Sequence, residues 1–344
     1  MAFKKLTVKT GQVTGTHSNF PTLVQPSLIT GLGSITLAEA QSARFYSDVG
    51  KTTELAREVV GLDEIHVKVT SMEALAEIWM DYDGIRADYA VGDTYGRNAV
   101  WSDYTAIHHL NDTNDSTSNA YNLTNTNSIA FNAAKIGNGG DAGATNTNKR
   151  LINTGNLGIT GGNISMSVWV KMNTEIATNG FVNFLDKSSA THNVHYRFIY
   201  QGSGGVRRVA FQRLRQNIAA NQANYNITLG TSNFHKLDFT YDGSTVRGYI
   251  DGVQVATVAS SGNGGSGGAN GYTLFAEKTP SSFSVHAAAK LDEARITTAV
   301  RSANWITTEY NNQNANGSFW EATDAGGGGS TPAQAARRGA VMMM

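Results

Sequence analysis

Hydrophobic and polar residues alternate in short runs along most of the chain, and clusters of Gly, Asn, Asp and Ser separate these runs. A period of two is typical of strands that bury one face, as strands of antiparallel sheets do. The pattern therefore predicts an all-β protein. The clearest runs are residues 6–9, 65–69, 166–170, 209–214, 236–241 and 246–250.

Three segments carry more specific local signals. In IDGV, residues 250–253, an Asp-Gly pair between two alternating runs predicts a two-residue hairpin turn, because both central residues of such a turn need positive φ. SMEALAEIWM, residues 71–80, contains good helix formers and is open to a helix. RSANWITTEYNNQ, residues 301–313, has a Trp, an Ile and a Glu at helical spacing and predicts a short helix packed on a sheet.

The composition narrows the class of protein. A chain of 344 residues exceeds the usual size of one domain, so we expect two. Lys plus Arg and Asp plus Glu both number 27, so no overall field favours nucleic acid or an anionic membrane, and we expect no specific nucleic-acid partner. The absence of cysteine excludes a disulfide scaffold and a thiolate metal site.

The opening residues, MAFKKLTVKT, lack the apolar stretch of an export signal. No run approaches the roughly 18 consecutive apolar residues that a membrane-spanning helix needs. We therefore expect a protein with no membrane span that is made in the cytoplasm.

Three ordered segments of the second half resemble successive signatures of concanavalin A-like, laminin-G-like jelly rolls. They are NISMSVWVK (residues 163–171), NFHKLDFTYDGSTVRGYIDGVQVATV (233–258) and KLDEARITTAVRSANWITTEYNNQ (290–313). The resemblance covers residues 101–322 and implies two stacked sheets, with Trp169 pointing inward from a core strand. Alternating aromatic residues such as Phe239 and Tyr241 fit stacked sheets on physical grounds as well.

The first hundred residues resemble a domain of unknown function that often precedes such jelly rolls. The matching pieces include FKKLTV, NFPTLV, ARFYSDVGKTTELAREV, IHVKVTSM and EIWMDYDG. This resemblance implies a strand at residues 78–82 in place of the helix considered above. The predicted fold is thus all-β, with an N-terminal β-sandwich (1–98), a concanavalin A-like jelly-roll sandwich (99–322) and a flexible Gly-rich C-terminal tail (323–344).

The same tandem is common in bacteriophage virion proteins and in bacterial surface proteins, and the missing export signal favours a phage. We therefore expect a non-catalytic virion structural protein: a capsid decoration, a head fibre or a tail-associated protein. It would be made in the host cytoplasm, released by lysis, and assembled with other virion proteins as a homo-oligomer that also contacts host glycan. The alternative is a secreted or surface glycan-binding or glycan-active bacterial protein.

Two groups of jelly-roll residues are candidate contact sites. Four tyrosines could stack on sugar rings, with packing in the core as the alternative: Tyr196, Tyr200, Tyr225 and Tyr272. No Asp or Glu occurs between residues 187 and 237, so arginines there could form a basic strip for a polyanion or an acidic partner. The alternative is that they are ordinary solvent-facing strand residues. These arginines are Arg197, Arg207, Arg208, Arg213 and Arg215.

HHLNDTNDSTSN, residues 108–119, has the residue types of a metal or acid/base site and also of a turn. Neighbouring residues on a strand point to opposite faces, so only one of the two histidines is expected to face the core. The resemblance favours His109 as a packed, hydrogen-bonded residue. The remaining chemical option is a Ca²⁺ ion held by Asp112 and Asp115; no other cofactor is expected.

Hydrolases on this scaffold use closely spaced carboxylates on one strand, because an acid and a nucleophile must flank one bond. Asp292 and Glu293 are adjacent in the sequence and should point to opposite faces of a strand. We therefore expect no catalytic pair.

Overall fold

The structure is a computed structural model that describes residues 2–159, 162–188, 194–215, 218–260, 271–278 and 282–325. Residues 326–344 of the predicted tail lie outside these ranges. Strands dominate the described part, which confirms the predicted all-β class.

The elements of the first hundred residues are β1 (Ala2–Val8), β2 (His17–Val24), a 3₁₀ turn (Pro26–Leu28), α1 (Leu37–Ser42), β3 (Arg44–Tyr46), β4 (Glu54–Leu55), β5 (Arg57–Gly61), β6 (Glu64–Met72), β7 (Glu77–Tyr82) and α2 (Arg97–Val100). The next elements are β8 (Ala106–His108), β9 (Thr124–Thr126), β10 (Ala130–Ala133), β11 (Asn138–Asp141), β12 (Arg150–Asn153), β13 (Ile164–Met172), β14 (Phe181–Ser188), β15 (Val194–Ser203), β16 (Val206–Arg215) and β17 (Ile218–Asn226). The last are β18 (His235–Tyr241), β19 (Thr245–Ile250), β20 (Val253–Ala259), β21 (Tyr272–Leu274), β22 (Glu277–Lys278), β23 (Phe283–Ser284), β24 (Ala289–Thr297), α3 (Ala303–Asn314), α4 (Asn316–Phe319) and β25 (Trp320–Asp324).

The N-terminal domain consists of two antiparallel sheets around one core. One sheet has the order β25-β1-β7-β3-β4 and the other the order β2-β6-β5. Alternate residues of these strands, such as Leu6, Phe20, Phe45 and Val67, are fully buried in a single hydrophobic cluster. The period-two pattern of the sequence therefore corresponds to one buried face for each sheet.

The jelly roll consists of two larger antiparallel sheets. The first, with the order β10-β11-β24-β13-β18-β19-β20, also pairs β8 with β24; the second has the order β17-β16-β15-β14-β21-β12-β9. The core between them is rich in aromatic rings, and Phe198 packs edge-on against Phe211 and Phe239. Gly248 is required at this point, because a Cβ there would lie 2.0 Å from the Phe211 ring.

The chain returns to the N-terminal domain at its end. β25 pairs with β1, and Trp305, Phe319 and Trp320 belong to the N-terminal core. Parts of residues 303–322, which the predicted boundaries placed in the jelly roll, thus contribute to the core and to a sheet of the N-terminal domain. Local sequence patterns could not reveal this, because the pairing joins strands more than 300 residues apart.

Several local predictions are confirmed. Asp251 and Gly252 have φ angles of 52° and 79° at the turn between β19 and β20. Residues 77–82 form β7, so the strand implied by the resemblance is correct and the helix option is wrong. The predicted short helix is α3, whose N-cap Ser302 accepts a hydrogen bond from the Trp305 backbone N–H.

Trp169 differs from the prediction. Its neighbours Val168 and Val170 face the core between the sheets, whereas Trp169 points to the opposite face of β13. There its ring stacks on Tyr310 and its indole N–H donates to Gln313 Oε1 at 2.7 Å. The first sheet of the jelly roll is therefore covered on both sides, by the second sheet and by α3. Among the described residues, no helix is long and apolar enough to span a membrane.

Candidate functional site

Three of the four candidate tyrosines are core residues. Tyr196 and Tyr200 are 0% exposed and Tyr272 is 1% exposed, so none can present a ring face to a sugar. The Tyr200 hydroxyl donates to Glu175 Oε1 at 2.7 Å, and Tyr272 is bonded to His108. Tyr225, on the edge strand β17, is 40% exposed. The stacking prediction is therefore wrong for Tyr196, Tyr200 and Tyr272, because their strand positions face the sandwich interior.

The candidate arginines do not form one strip. Arg197 and Arg208 point to the outer face of the second sheet, while Arg207 and Arg213 alternate to the other side. Arg197 pairs with Glu277, and Arg207 Nε lies 3.4 Å from Glu175 Oε1. Arg213 is 1% exposed and packs over the Tyr241 ring.

The basic-strip prediction is therefore wrong for Arg197, Arg207 and Arg213. The two acidic partners lie outside the acid-free stretch of sequence and reach these arginines only through the fold. Arg208 is half-buried, and nothing in the structure assigns it a role. The Arg215 side chain lies outside the described residues.

The outer face of the second sheet carries a row of polar side chains. Thr273, Asp186, Arg197, Gln212 and Gln222 lie directly opposite one another on five adjacent strands, β21, β14, β15, β16 and β17. The next row of the same strands faces the core and is apolar. Alternation therefore gives this sheet one hydrophobic and one polar face.

Hydrogen bonds order part of this row. Arg197 Nε donates to Gln212 Oε1, Gln212 Nε2 donates to Gln222 Oε1 at 3.0 Å, and Gln222 Nε2 donates to Asn224 Oδ1. Each amide is thereby fixed in one orientation by its neighbour. The series begins at buried Arg197 and ends at exposed Asn224. It presents oriented amide groups to solvent at the β17 edge.

Two further polar groups on this sheet lack partners. Both side-chain atoms of Asn183 and the hydroxyl of Thr273 are buried without a hydrogen bond to any described residue. Buried polar atoms are normally paired with protein or with water. We name the following residues, together with Glu277, the polar face: Thr273, Asn183, Asp186, Arg197, Gln212, Gln222 and Asn224.

The aspartates of the motif at 108–119 hold turns. Asp115 accepts from the backbone N–H groups of Ile107, Thr117 and Tyr121 and from the Thr117 hydroxyl. Asp112 accepts from the Asn114 backbone and side chain. The two carboxylates thus serve separate local contacts, and their predicted role in holding Ca²⁺ stays a prediction.

Both histidines of this motif are buried, in different places. His108 lies in the jelly-roll core, where its Nδ1 donates to Asn114 O at 2.9 Å, and burial lowers its pKa to about 4. His109 faces the N-terminal domain and contacts Glu58 and Glu293. Burial alone would lower the pKa of His109, but these two carboxylates outweigh it and raise the pKa well above its ordinary value.

The sequence patterns did not predict the buried charged residues that surround His109. Glu58, Glu64, His66 and Glu293 converge there from β5, β6 and β24 and are all buried. The available signal was charge inside strands, in EIHVK and LDEAR, where a buried strand should be apolar. Asp292 and Glu293 do point apart, as predicted: Asp292 Oδ2 accepts from the Ile136 backbone, and Glu293 contacts His109.

Comparison with known proteins identifies the class of the second domain. Residues 138–307 match the family described as the Concanavalin A-like lectin/glucanases superfamily. The chain therefore contains a concanavalin A-like jelly-roll domain, as the sequence motifs implied. No curated protein matches the chain.

Several solved structures are similar in part. Domain 4 of AbnA, a GH43 extracellular arabinanase from Geobacillus stearothermophilus solved with arabinotriose, is 20% identical; the match covers 59% of this chain and 96% of that domain, with a TM-score of 0.47. The binding domain of Paraclostridial Mosquitocidal Protein 1 is 10% identical over 61% of this chain and 52% of its own, with a TM-score of 0.49. The binding domain of botulinum neurotoxin DC, solved with SialylT, is 12% identical over 60% and 50%, with a TM-score of 0.47. This chain spans about half the length of the two toxin domains.

Proposed function

We propose that this protein is a non-catalytic structural component of a bacteriophage virion that binds glycan through the polar face of its jelly roll. The observation that carries the glycan proposal is the ordered series from Arg197 through Gln212 and Gln222 to Asn224. Sugar hydroxyls both donate and accept hydrogen bonds, so they match amide groups whose orientation is already fixed. Fixing the groups in advance reduces the entropy lost on binding.

Asn183 and Thr273 are fully buried, so the groups that face a ligand are Gln222 and Asn224 at the β17 edge. The family that matches the jelly roll is described as one of lectins and glucanases, which agrees with this proposal.

The contacts of the two acidic residues of this sheet surface, Asp186 and Glu277, support a binding role without catalysis. Glycoside hydrolysis needs one carboxylic acid that gives up a proton and a second carboxylate beside it. Glu277 is in contact with the Arg197 guanidinium, and Asp186 accepts from the Lys278 backbone N–H. Both are held as hydrogen-bond acceptors.

The virion role rests on the tandem arrangement of the two resembled domains and on the surface of the first. Exposed large hydrophobic side chains in the described part of the chain concentrate in the N-terminal domain, where they suit contact with another protein. They are Leu28, Leu37, Val49, Leu62, Leu75, Ile85 and Val91. In this proposal the N-terminal domain docks to other virion proteins, in a homo-oligomer, and the jelly roll projects toward the host surface.

A glycan array with the purified chain tests the binding proposal. The double variant Gln222→Ala/Asn224→Ala should bind the selected glycan about tenfold more weakly, because two oriented hydrogen-bonding groups are lost. Gln254→Ala is the matched control, since Gln254 is an exposed glutamine on β20 of the other sheet. Equal binding by both variants, or no binding by the wild-type chain, would contradict the proposal.

Electron microscopy of purified particles with a labelled antibody tests the virion role. Specific labelling at a fixed position on the capsid or tail is the expected result. Finding the protein on bacterial cells or in culture fluid without particles would instead support the alternative of a bacterial surface protein.

A further inference from the structure

Four buried side chains that can bind metal ions meet between the two domains. Glu64 and His66 come from β6 of the N-terminal domain, His109 directly follows β8, and Glu293 lies in β24 of the jelly roll. One ligand atom from each lies within 4.8 Å of those of the other three. All four side chains are at most 5% exposed.

The backbone explains how they converge. Glu64 and His66 are two residues apart on a strand and therefore share a face. The pairing of β13 with β24 shifts register between Ser167 and Trp169, and Glu293, at this irregularity, has a φ of 50°. This bulge turns the Glu293 side chain away from the first jelly-roll sheet and toward the N-terminal domain.

The contacts within the group are uneven. His109 Nδ1 is in contact with Glu293 Oε1 and lies 3.2 Å from Glu64 Oε1. His66 Nε2 lies 3.5 Å from Glu64 Oε1 and 3.9 Å from Glu293 Oε1, at or beyond the limit of a hydrogen bond. His66 Nδ1 is buried with no hydrogen-bond partner. Nε2 is the ring nitrogen of His66 that faces the group, and it has no short contact with either carboxylate.

We propose that Glu64, His66, His109 and Glu293 bind a divalent transition metal ion of the Zn²⁺ type. Two imidazole nitrogens and two carboxylate oxygens are a normal ligand set for Zn²⁺, whereas Ca²⁺ and Mg²⁺ prefer oxygen alone. Tetrahedral coordination with metal–ligand bonds of about 2.0–2.1 Å separates the ligand atoms by about 3.3 Å. To close around the ion, the contact between His109 and Glu293 must open, and the longer separations, which reach at most 4.8 Å, must shorten.

The residues around the group hold the proposed ligands in place by hydrogen bonds. His109 Nε2 lies 3.0 Å from Glu58 Oε2, an outer carboxylate of the kind that orients a metal-binding histidine. Trp101 Nε1 and Ser116 Oγ donate to the same carboxylate, at 2.5 and 2.7 Å. Arg295 bonds Glu293 Oε2 and leaves Oε1 directed at the group.

Two clefts at the domain junction lie beside the group. One, of about 560 Å³, is lined by Leu62, Glu64 and Asn111, and the other, of about 160 Å³, is lined by Glu58, His109 and Asn111. Since each domain supplies two ligands, the bound ion cross-links the N-terminal domain to the jelly roll.

The test uses the full chain, stripped with a chelator and titrated with Zn²⁺, with Mg²⁺ and Ca²⁺ as comparison ions. Elemental analysis should give one zinc per chain, thermal unfolding should shift upward with Zn²⁺ only, and substituted Co²⁺ should give the visible spectrum of a tetrahedral site. His66→Gln should weaken Zn²⁺ binding more than about 100-fold, and Glu58→Gln by about 10–100-fold. His17→Gln is the matched control, because His17 is also a buried histidine of the N-terminal domain.

Circular dichroism establishes that each variant is folded, and Glu64→Gln replaces His66→Gln if the latter does not fold. A folded wild-type chain that binds no stoichiometric zinc overturns the proposal. Equal Zn²⁺ affinity in wild type and a folded ligand variant overturns it as well. The metal proposal is independent of glycan binding, since the polar face and this group lie in different parts of the molecule.

Discussion

Asn312 of α3 holds the backbone of Leu23 in β2 by two hydrogen bonds. Its Oδ1 accepts from Leu23 N at 2.6 Å, and its Nδ2 donates to Leu23 O at 3.0 Å. Asn316 and Trp320 also donate to Leu23 O. A helix that follows the jelly roll in sequence is thereby bound to a strand of the N-terminal domain.

Asn312→Ala should lower the free energy of unfolding by about 2–4 kcal/mol, because it leaves the buried Leu23 N–H without a partner and removes one of the donors to its carbonyl. Urea denaturation followed by circular dichroism measures the change. Asn314→Ala, at an exposed position of the same helix, should cost less than about 0.5 kcal/mol. Equal effects of the two substitutions would show that the contact contributes little.

Gly248→Ala should destabilise the jelly roll by about 1–3 kcal/mol, because the added Cβ would overlap the Phe211 ring across the core. Gly61→Ala is the matched control, since Gly61 is also a strand glycine and has no atom within 4 Å of an added Cβ. Adding Phe211→Leu should recover part of the loss in a double-mutant cycle. If the effects of the two substitutions on the free energy of unfolding simply added, the overlap between Gly248→Ala and Phe211 would be contradicted.

Lys236→Met should destabilise the protein by about 3–5 kcal/mol. The Lys236 ammonium is 1% exposed and neutralises Asp238 and Glu309, which would remain as buried carboxylates without it. Lys4→Met removes an ion pair whose partner Asp324 is 87% exposed, and should change stability by less than about 0.5 kcal/mol. Chemical denaturation at pH 7 compares the two variants.

Lys187→Met should stabilise the protein at neutral pH. Burial lowers the pKa of Lys187 to about 8 from its ordinary 10.5, so folding at pH 7 buries a charge at a cost of about 3 kcal/mol. Between pH 8 and 10.5 the unfolded chain binds more protons at this residue than the folded chain does. The wild type therefore gains stability with rising pH in that window, and the cost is gone above it.

The advantage of the Lys187→Met variant should accordingly be greatest below pH 8 and fade as the pH approaches 10.5. Thermal melts of wild type and variant across that range measure the difference. Lys171→Met, a half-exposed lysine of the same domain, serves as the control. A pH-independent difference between wild type and Lys187→Met would show that the lysine does not titrate as proposed.

The sequence predicted those features that depend on neighbouring residues. The Asp251–Gly252 turn, helix α3 and the turn held by Asp115 all follow from local conformational preferences and local hydrogen bonds. The strand at 77–82 was implied by the family resemblance, against the local preference for a helix. The jelly roll was also accessible, because three ordered motifs marked its core strands.

The features that the sequence did not predict depend on contacts between distant segments. Arg197 forms its ion pair with Glu277, which comes from a strand 80 residues further on. Trp169 faces outward because α3 covers the outer side of β13 and makes that side as dry as the core. His109 meets Glu64 and Glu293 only when both domains are in place, and no spacing within the motif at 108–119 encodes that meeting.

The pairing of β25 with β1 also sets the order in which the protein is completed during synthesis. The N-terminal domain leaves the ribosome first, yet Trp305, Phe319 and Trp320 of its core and the strand beside β1 are made only after the jelly roll. The free edge of β1 and the apolar surface awaiting those residues stay uncovered while the jelly roll is made, and uncovered edges are prone to aggregation. The first domain to begin folding is thus the last to finish, and a chain that stops before Phe319 leaves part of its hydrophobic core uncovered.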